Sequence, residues 1–539
     1  MEIISIESRI KMAGVSNAIQ TCSVFEFSFL PVEVQLKIFE CMSHNLLVKS
    51  RLVSHSWKKM SDGEDVWEAR WNNVFGGPRR DAPLLSWRSA FRLCHLAMLS
   101  RKNETSRVHW AIRYQHFRIL VHIANTKRSS FGKFITKKKV PFLYIAAKIG
   151  NSKIVQLLLR LGANKEQLAP DGSSALYIAS QNGHHEIIEL LVAAGAKVEF
   201  TFRDGYTPLY IASQNGNIKA MQQLIKSGAK IEAQCSFGST SLYIAAQQGL
   251  LTVVKLLLSS GANIDAFFRS GFTPLYVAAR NGFDEVVQIL IENNANIEAC
   301  GGDGSTPLYV ASQNGKFGCA QALLRAGANY RATFEEITPL YIAAQNGHDK
   351  IVDAICLAGA PLDYYCGQPD ASPLYVACQY GFHDVVRLLL FHGANVDFGK
   401  RGLYTPLYIA AAKGHYDICH MLIQNGANLD TVNTSTGFTP LYSACSHGNL
   451  SIAKLLIKSG ASTERCRKNG FTLLHASVQG GNVETVKYLL EIGLNPMAKA
   501  SDGTTCLELA KNEEIASILR GAINEQYLLL IPRWLNEIV

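Results

Sequence analysis

The sequence predicts an all-α protein: a small N-terminal helical bundle followed by an α-solenoid of about twelve helix-turn-helix units with protruding loops. Three observations carry this. A leucine set in Thr-Pro-Leu-Tyr-Ile/Val-Ala or a variant of it returns at Leu143, Leu176, Leu209, Leu242, Leu275, Leu308, Leu340, Leu374, Leu407, Leu441, Leu474 and Leu507, with spacings of 32 to 34 residues. Such a period marks a repeat array, in which each unit buries its apolar face only against its neighbours. Hydrophobic residues make up 48% and charged residues 18% of the chain, an ordinary globular balance that excludes a largely disordered protein. With 539 residues the chain is far larger than one hydrophobic core supports, and an array resolves that difficulty.

The elements follow in chain order. Residues 1–23 read as an extension. Acidic residues Glu2 and Glu7 interrupt the first ten positions, so no basic-then-apolar secretion signal is present and an intracellular protein is expected. The thirteen cysteines are scattered, odd in number and form no C-x-x-C pair, which argues against a disulfide or zinc framework. No apolar run reaches the roughly eighteen residues of a membrane helix.

Residues 24–72 read as a helical bundle. Pro31 sits where a helix starts, Val34, Ile38 and Phe39 share one face, and Leu47, Leu52, Val53 and Trp57 mark a second helix. About fifty residues bury little surface alone, so the bundle calls for a partner or a neighbouring domain. Residues 73–140 read as a helical bridge with a basic loop. Trp110, Tyr114, Phe117 and Val121 fall on one helix face, which is expected to cap the first repeat. Residues 1–140 carry 23 Lys and Arg against 11 Asp and Glu, whereas the remainder carries 30 against 32, so the whole excess of +10 is N-terminal. The bland reading of this stretch is a solvated linker. No zinc finger, groove-reading helix or aromatic platform accompanies it, so nucleic acid is not an expected partner.

Residues 141–520 are the repeats. In the unit around Leu209, Asp204-Gly205 is a turn pair, Thr207 caps a helix, and Pro208 stands in its first turn. Leu209 and Ala212 face inward and Gly216 ends the helix in the left-handed conformation. A second apolar helix ends near Leu224-Ile225, and Ser227-Gly228-Ala229 leads into the next loop. The last unit lacks the proline and is expected to cap the array with a short second helix. Residues 521–539 form a tail, in which Tyr527 to Leu535 is expected to fold back on the final repeat.

The 33-residue unit resembles the ankyrin repeat, whose signature is T-P-L-H-x-A. The family's histidine is tyrosine in ten units here: Tyr144, Tyr177, Tyr210, Tyr243, Tyr276, Tyr309, Tyr341, Tyr375, Tyr408 and Tyr442. The eleventh unit has His475 and the twelfth Glu508. In the family the histidine bridges to the threonine and to the next repeat, and a structural ladder is the role expected of the tyrosines. Residues 27–72 resemble an F-box. Leu30, Pro31, Glu33, Ile38, Phe39, Arg51, Val53, Trp57 and Trp67 match its pattern in order and spacing, with Ser54 where many members have cysteine. That resemblance implies a Skp-type adaptor and a cullin as partners, with Leu30, Pro31, Ile38, Phe39 and Val53 as adaptor contacts. The same apolar residues can equally be the bundle's own core.

No catalytic constellation is present: no phosphate-cradling G-x-x-x-x-G-K-[ST], no H-E-x-x-H, no G-x-S-x-G. His415, Cys419 and His420 could meet as metal ligands, but capping and packing explain them within a regular repeat. No cofactor is implied. Function is expected in recognition, by loops that vary over a constant scaffold. Phe200, Phe202, Phe237, Phe267, Phe268, Phe334, Tyr364, Tyr365 and Phe398 are the candidate partner contacts, packing between adjacent loops being the plainer alternative. Polar residues closing the first helices, such as Gln181, Asn182, Gln345 and Asn346, are candidates to line the inner face. The resemblance implies the substrate-recognition subunit of an SCF-type cullin–RING ubiquitin ligase, itself non-catalytic, binding a protein substrate whose identity the sequence does not name. The alternative is an ankyrin scaffold that anchors or sequesters a partner. A cytoplasmic location is expected, with the nucleus as a further site.

Overall fold

The computed structural model describes residues 104–113, 115, 117, 120, 121, 124 and 139–530, without 368–369, 402–403, 433–436 and 465–469. Twenty-five α-helices have both ends among the described residues, Phe117, Leu120, Val121 and Ala124 are helical besides, and the described residues hold no strands, only isolated β-bridges in the loops. They separate into two compact units, residues 1–241 and 242–539.

The first unit contains α1 (Glu104–Arg113) and the helix pairs α2–α3 (Phe142–Ile149, Ser152–Arg160), α4–α5 (Ala175–Gln181, His185–Ala193) and α6–α7 (Pro208–Gln214, Ile218–Lys226). The second unit begins within α8 (Ser241–Gln247), which pairs with α9 (Leu251–Ser259). The pairs α10–α11 (Pro274–Asn281, Asp284–Glu292), α12–α13 (Pro307–Gln313, Phe317–Arg325), α14–α15 (Pro339–Gln345, Asp349–Leu357) and α16–α17 (Pro373–Tyr380, His383–Phe391) follow. Then come α18–α19 (Pro406–Lys413, Tyr416–Gln424), α20–α21 (Pro440–His447, Leu450–Lys458), α22–α23 (Leu473–Gln479, Val483–Glu491) and α24–α25 (Cys506–Leu509, Glu513–Leu530).

Local sequence explains each pair. The hydroxyl before the proline accepts the amide of the tyrosine three residues on, as Thr207 does from Tyr210 at 3.1 Å and Thr306 from Tyr309 at 3.2 Å. Such a cap stabilises a helix by about 1 kcal/mol over alanine. Within the first helix Leu209 and Ala212 are buried, as the sequence predicts, and Gly216 has φ 72°. Each second helix buries a triad at i, i+1 and i+4: Ile187, Ile188 and Leu191, or Val385, Val386 and Leu389. Truncating such a leucine to alanine costs about 2–5 kcal/mol.

The loops are tied from repeat to repeat by a device the sequence reading did not anticipate. An acidic side chain accepts the backbone N–H of a residue about 31 positions ahead: Glu166 from Lys197 and Glu199 from Lys230 in the first unit, Asp265 from Asn296, Glu298 from Asn329 and Asp397 from Asn428 in the second. An exposed carboxylate thus ties each of these loops to the one after it.

Two expectations need correction. The helix drawn through Trp110 to Val121 is interrupted: α1 ends at Arg113, Gln115 takes a positive φ of 60° that breaks the ladder, and Phe117, Leu120, Val121 and Ala124 are helical again. Trp110 is buried and α1 packs on α2, Asn151 of the first repeat donates to Gln115 at 3.3 Å, and Leu120 and Ala124 beyond the break are buried. In the last unit it is the first helix that is short, four residues from Cys506. The second, α25, runs eighteen residues through position 521, since no Pro or left-handed Gly interrupts Glu513–Leu530.

Candidate partner-binding surface

The tyrosines and the loop aromatics are two halves of one arrangement. In the first unit Tyr177 packs against Phe202 of the next loop, ring centroids 4.6 Å apart. Tyr210 is covered instead by Tyr206 of its own loop, at 5.0 Å, and its hydroxyl donates to Ser239 at 3.4 Å. The second unit continues the alternation as far as Tyr309, whereas Tyr408 and Tyr442, in successive repeats, are each covered by a ring of their own loop, Tyr404 at 4.5 Å and Phe438 at 4.8 Å. Tyr243 stacks on Phe268 of the following loop (5.3 Å), Tyr276 on Phe272 of its own (4.6 Å), and Tyr309 meets Phe334 of the following loop edge-on (5.2 Å). Tyr276 shares a 2.8 Å hydrogen bond with Ser305, 29 residues ahead.

The period of this alternation is two repeats. Phe202, Phe268 and Phe334 are 66 residues apart, as are Tyr206 and Phe272, and Ser173, Ser239 and Ser305. Where a tyrosine receives a ring from the next loop, its own loop carries a serine four residues before it. Where its own loop supplies the ring, the next loop is small, Cys235 or Gly301. A Cβ on Gly301 would collide with the Phe272 ring. Adjacent loops are also joined in pairs through the backbone, Ser236 N–H to Asp204 O at 2.5 Å in the first unit, Gly302 N–H to Ser270 O at 2.5 Å and Gly367 N–H to Glu336 O at 3.2 Å in the second.

Burial raises the tyrosine hydroxyl pKa, to about 12 at Tyr177, Tyr309 and Tyr341. These phenols stay neutral at physiological pH and serve as apolar rings with one polar atom. His475 occupies the same position in the eleventh repeat and is fully buried. Its Nδ1 faces the Thr472 hydroxyl at 2.8 Å and accepts the Thr472 N–H at 3.2 Å, while Nε2 contacts the Thr504 carbonyl at 3.2 Å. Burial lowers its pKa below 6.5, against the opposing pull of the Thr504 carbonyl and Asp502.

The candidate contacts therefore divide. Phe202, Phe268 and Phe334 are half-buried against the repeat tyrosines, and Phe200 is also half-buried. Tyr365 and Phe398 stack on each other at 4.4 Å, with Arg401 over Tyr365 and ion-paired to Asp370 at 3.3 Å. Left to solvent are Phe237 (49% exposed) in the first unit, and Phe267 (64%) and Tyr364 (45%) in the second. An exposed ring on a braced loop loses little conformational freedom when a partner covers it. The two most exposed apolar side chains among the described residues, absent from the sequence-level list, are Leu357 and Phe391, which end α15 and α17 at equivalent positions. The signal was available: the corresponding residues elsewhere include Arg160, Lys226, Glu292, Arg325 and Lys458.

The polar residues closing the first helices have partners inside the protein. Asn182 donates to the Lys148 carbonyl and Asn215 to that of Gln181, while in the second unit Asn281 donates to Gln247 and Asn346 to Gln313. Of the neighbouring glutamines, Gln181 and Gln313 are exposed and Gln214 and Gln345 half-buried. His415, Cys419 and His420 do not converge. His415 Nε2 lies 3.4 Å from the Gln379 carbonyl, Cys419 is buried in the core, and His420 is exposed. Burial holds the Cys419 and Cys445 thiols near a pKa of about 12, far from thiolate chemistry. No helix among the described residues is long and apolar enough to cross a membrane. Leu30, Pro31, Ile38, Phe39 and Val53 lie outside the described residues.

Comparison with known proteins bears on both parts of the chain. A family model described as "Ankyrin repeats (3 copies)" matches residues 143–235, 228–300, 293–365 and 454–526. "Ankyrin repeats (many copies)" matches 407–457 and "Ankyrin repeat" 370–400. "F-box-like" matches 27–72. No curated protein matches the chain. Among solved structures, the crystal structure of the human ASB11 ankyrin repeat domain is 30% identical, covering 42% of this chain and 99% of that one, with a TM-score of 0.37. The chain belongs to the ankyrin-repeat proteins and carries an F-box-like domain ahead of its repeats.

Proposed function

We propose that this chain is the substrate-recognition subunit of an SCF-type cullin–RING ubiquitin ligase. The observation that carries the reading is the pairing of two protein-interaction modules, an F-box-like segment at 27–72 and a long run of ankyrin repeats after it. In this reading Leu30, Pro31, Ile38, Phe39 and Val53 contact a Skp-type adaptor that joins a cullin. The loop aromatics hold a protein substrate, led by Phe237, Phe267 and Tyr364, the three with rings free for a partner. The chain contributes proximity: tethering a substrate lysine beside a charged conjugating enzyme raises its effective concentration, and no acid, base or nucleophile is asked of these residues. The reading carries a cytoplasmic location with it, the nucleus being the alternative.

The test is a pull-down of the full chain and of its Leu30→Ala/Pro31→Ala variant with purified Skp-type adaptor and cullin. Binding by the intact chain that is lost in the variant, with helix content unchanged, supports the ligase subunit. No binding by the intact chain sinks it and leaves a scaffold that anchors or sequesters its partner.

A further inference from the structure

The carboxylate ladder of the second unit is broken between Glu298 and Asp363. Glu298 accepts the Asn329 N–H at 2.7 Å, and Asp363 accepts that of Asn395 at 3.0 Å. Between these two rungs the acid's place is taken by Arg331. The residue that would donate to it is Pro361, in Gly359-Ala360-Pro361 where the adjacent repeats read Gly-Ala-Asn, and proline has no N–H. Both ends of the tie are thus changed together. Arg331 is exposed, its guanidinium 5.9 Å from the centre of the Tyr330 ring. The Tyr330 hydroxyl reaches to Gly359 of the next repeat, 3.8 Å from where an added Cβ would lie.

The break adjoins the exposed apolar pair. Leu357 (72% exposed) and Phe391 (80%) are the last residues of α15 and α17, which pack side by side. Neighbouring helices stand about 8–10 Å apart, so the two side chains make adjacent anchors. Exposed Arg325 holds the same position on α13, which packs on α15 from the other side. The two apolar helix ends are braced. His392 Nε2 lies 2.7 Å from Asp353 of α15, and the Phe391 ring stands edge-on to the His392 imidazole at 5.3 Å. No ion pair among the described residues engages Arg325 or Arg331. The acids of α15 and the loop after it, Asp353 and Asp363, are held by His392 and by the Asn395 N–H.

We propose that Leu357, Pro361 and Phe391, with Arg325 and Arg331, form a docking surface for a protein partner's segment that carries two apolar side chains beside a carboxylate. Adjacent solvent-facing apolar side chains on a braced scaffold mark an interaction site. A guanidinium takes a carboxylate in a bidentate pair, whereas a basic segment would meet like charge from both arginines, so charge selects the acidic occupant. Such docking does not require residues 27–72 to hold an adaptor.

The test is selection of random peptides displayed on phage against the full chain, counter-selected on its Leu357→Asp/Phe391→Asp variant. Docking predicts enriched peptides with two apolar residues beside Asp or Glu. Their synthetic forms should bind about tenfold more weakly after either Leu357→Asp or Phe391→Asp. Arg331→Glu should weaken them about fivefold, and replacing the peptide's acid by lysine should recover the loss. Enriched peptides that are basic, an absence of peptides sensitive to these variants, or a loss at Arg331→Glu that lysine does not recover overturns the proposal. Should the double variant lose helix content, the exchange of charge between Arg331 and the peptide decides alone. Self-association of the full chain in sedimentation that Phe391→Asp abolishes would assign the surface to a second copy and overturn it as well.

Discussion

The tyrosine-bearing junctions and the single histidine junction do the same job with different physics. At Tyr276 the side chain joins two repeats mainly through ring contact, with Phe272 on one face and one hydrogen bond, to Ser305. At His475 the ring of Phe471 is again present, at 5.1 Å, but the imidazole also closes a capping box with Thr472 and reaches the Thr504 carbonyl. The histidine satisfies backbone groups on both sides of the junction and the tyrosine only a serine hydroxyl. The phenol gains apolar area in exchange, which explains why aromatic residues accumulate in the loops of the tyrosine repeats. The difference teaches that the loop rings are first of all partners of the tyrosines, and that only what is left over faces solvent.

The largest effect expected from breaking this contrast is at His475. His475→Phe keeps a ring but leaves the Thr472 N–H and Thr504 carbonyl without their side-chain partner, at a cost of about 2–3 kcal/mol. Urea unfolding, or hydrogen exchange of α22 and α24, reports it; a loss below about 0.5 kcal/mol would mean the imidazole is not bridging. The same junction should respond to pH. Nδ1 serves as an acceptor for the Thr472 N–H, so protonation removes that bond, and burial already holds the folded pKa below 6.5. The neutral form is favoured by folding. The junction's contribution is therefore complete above about pH 6.5 and declines as pH falls through that value toward the lower folded pKa. The stability difference between wild type and His475→Phe, followed from pH 8 to 5, should shrink on acidification. A difference that grows would reverse the assignment.

Next comes the steric complement of the tyrosine junction. Gly301→Ala places a methyl group against the Phe272 ring and should destabilise by about 1–3 kcal/mol. Phe272→Ala in the same chain makes room, so the double variant should lose less than the sum of the two single losses. Additive losses would mean that ring and glycine are not matched.

What the sequence made legible follows from range. Repeat register, the Thr207 cap, inward Leu209 and Ala212 and the left-handed Gly216 are all decided within one helix turn or its ends, and each is found as read. From Tyr177 to Tyr309 the partner of each tyrosine is decided across two repeats, so it shows only at a 66-residue period, which a search at 33 residues averages away. The carboxylate ladder escaped because Glu166, Asp265 and Asp397 look like solvated loop charges until the next loop is in place. The helix break at Gln115 had no Gly or Pro to announce it. The loop aromatics were legible as a set but not as a division, since Phe267 and Phe268 are neighbours in sequence and part company only in space.

A smaller effect separates two kinds of tyrosine. Tyr276→Phe removes the 2.8 Å bond to Ser305 and should cost about 1 kcal/mol. Ser305→Ala should cost a similar amount, and the pair together little more than either alone, since both remove the same bond.

The smallest effect is the sharpest check on the alternation. Tyr309 meets Phe334 through its ring, with no hydrogen bond from its hydroxyl among the described residues. Tyr309→Phe should therefore change stability by less than about 0.5 kcal/mol, while Phe334→Ala, which strips the ring partner, should cost about 1 kcal/mol or more. If Tyr309→Phe costs as much as Tyr276→Phe, the hydroxyls act alike in every repeat and the two-repeat period is one of sequence alone. If the two differ as expected, the period is energetic. The loops then come in two functional kinds, one whose phenylalanine is committed to the repeat before it and one whose outward side chains are free to be chosen for a partner.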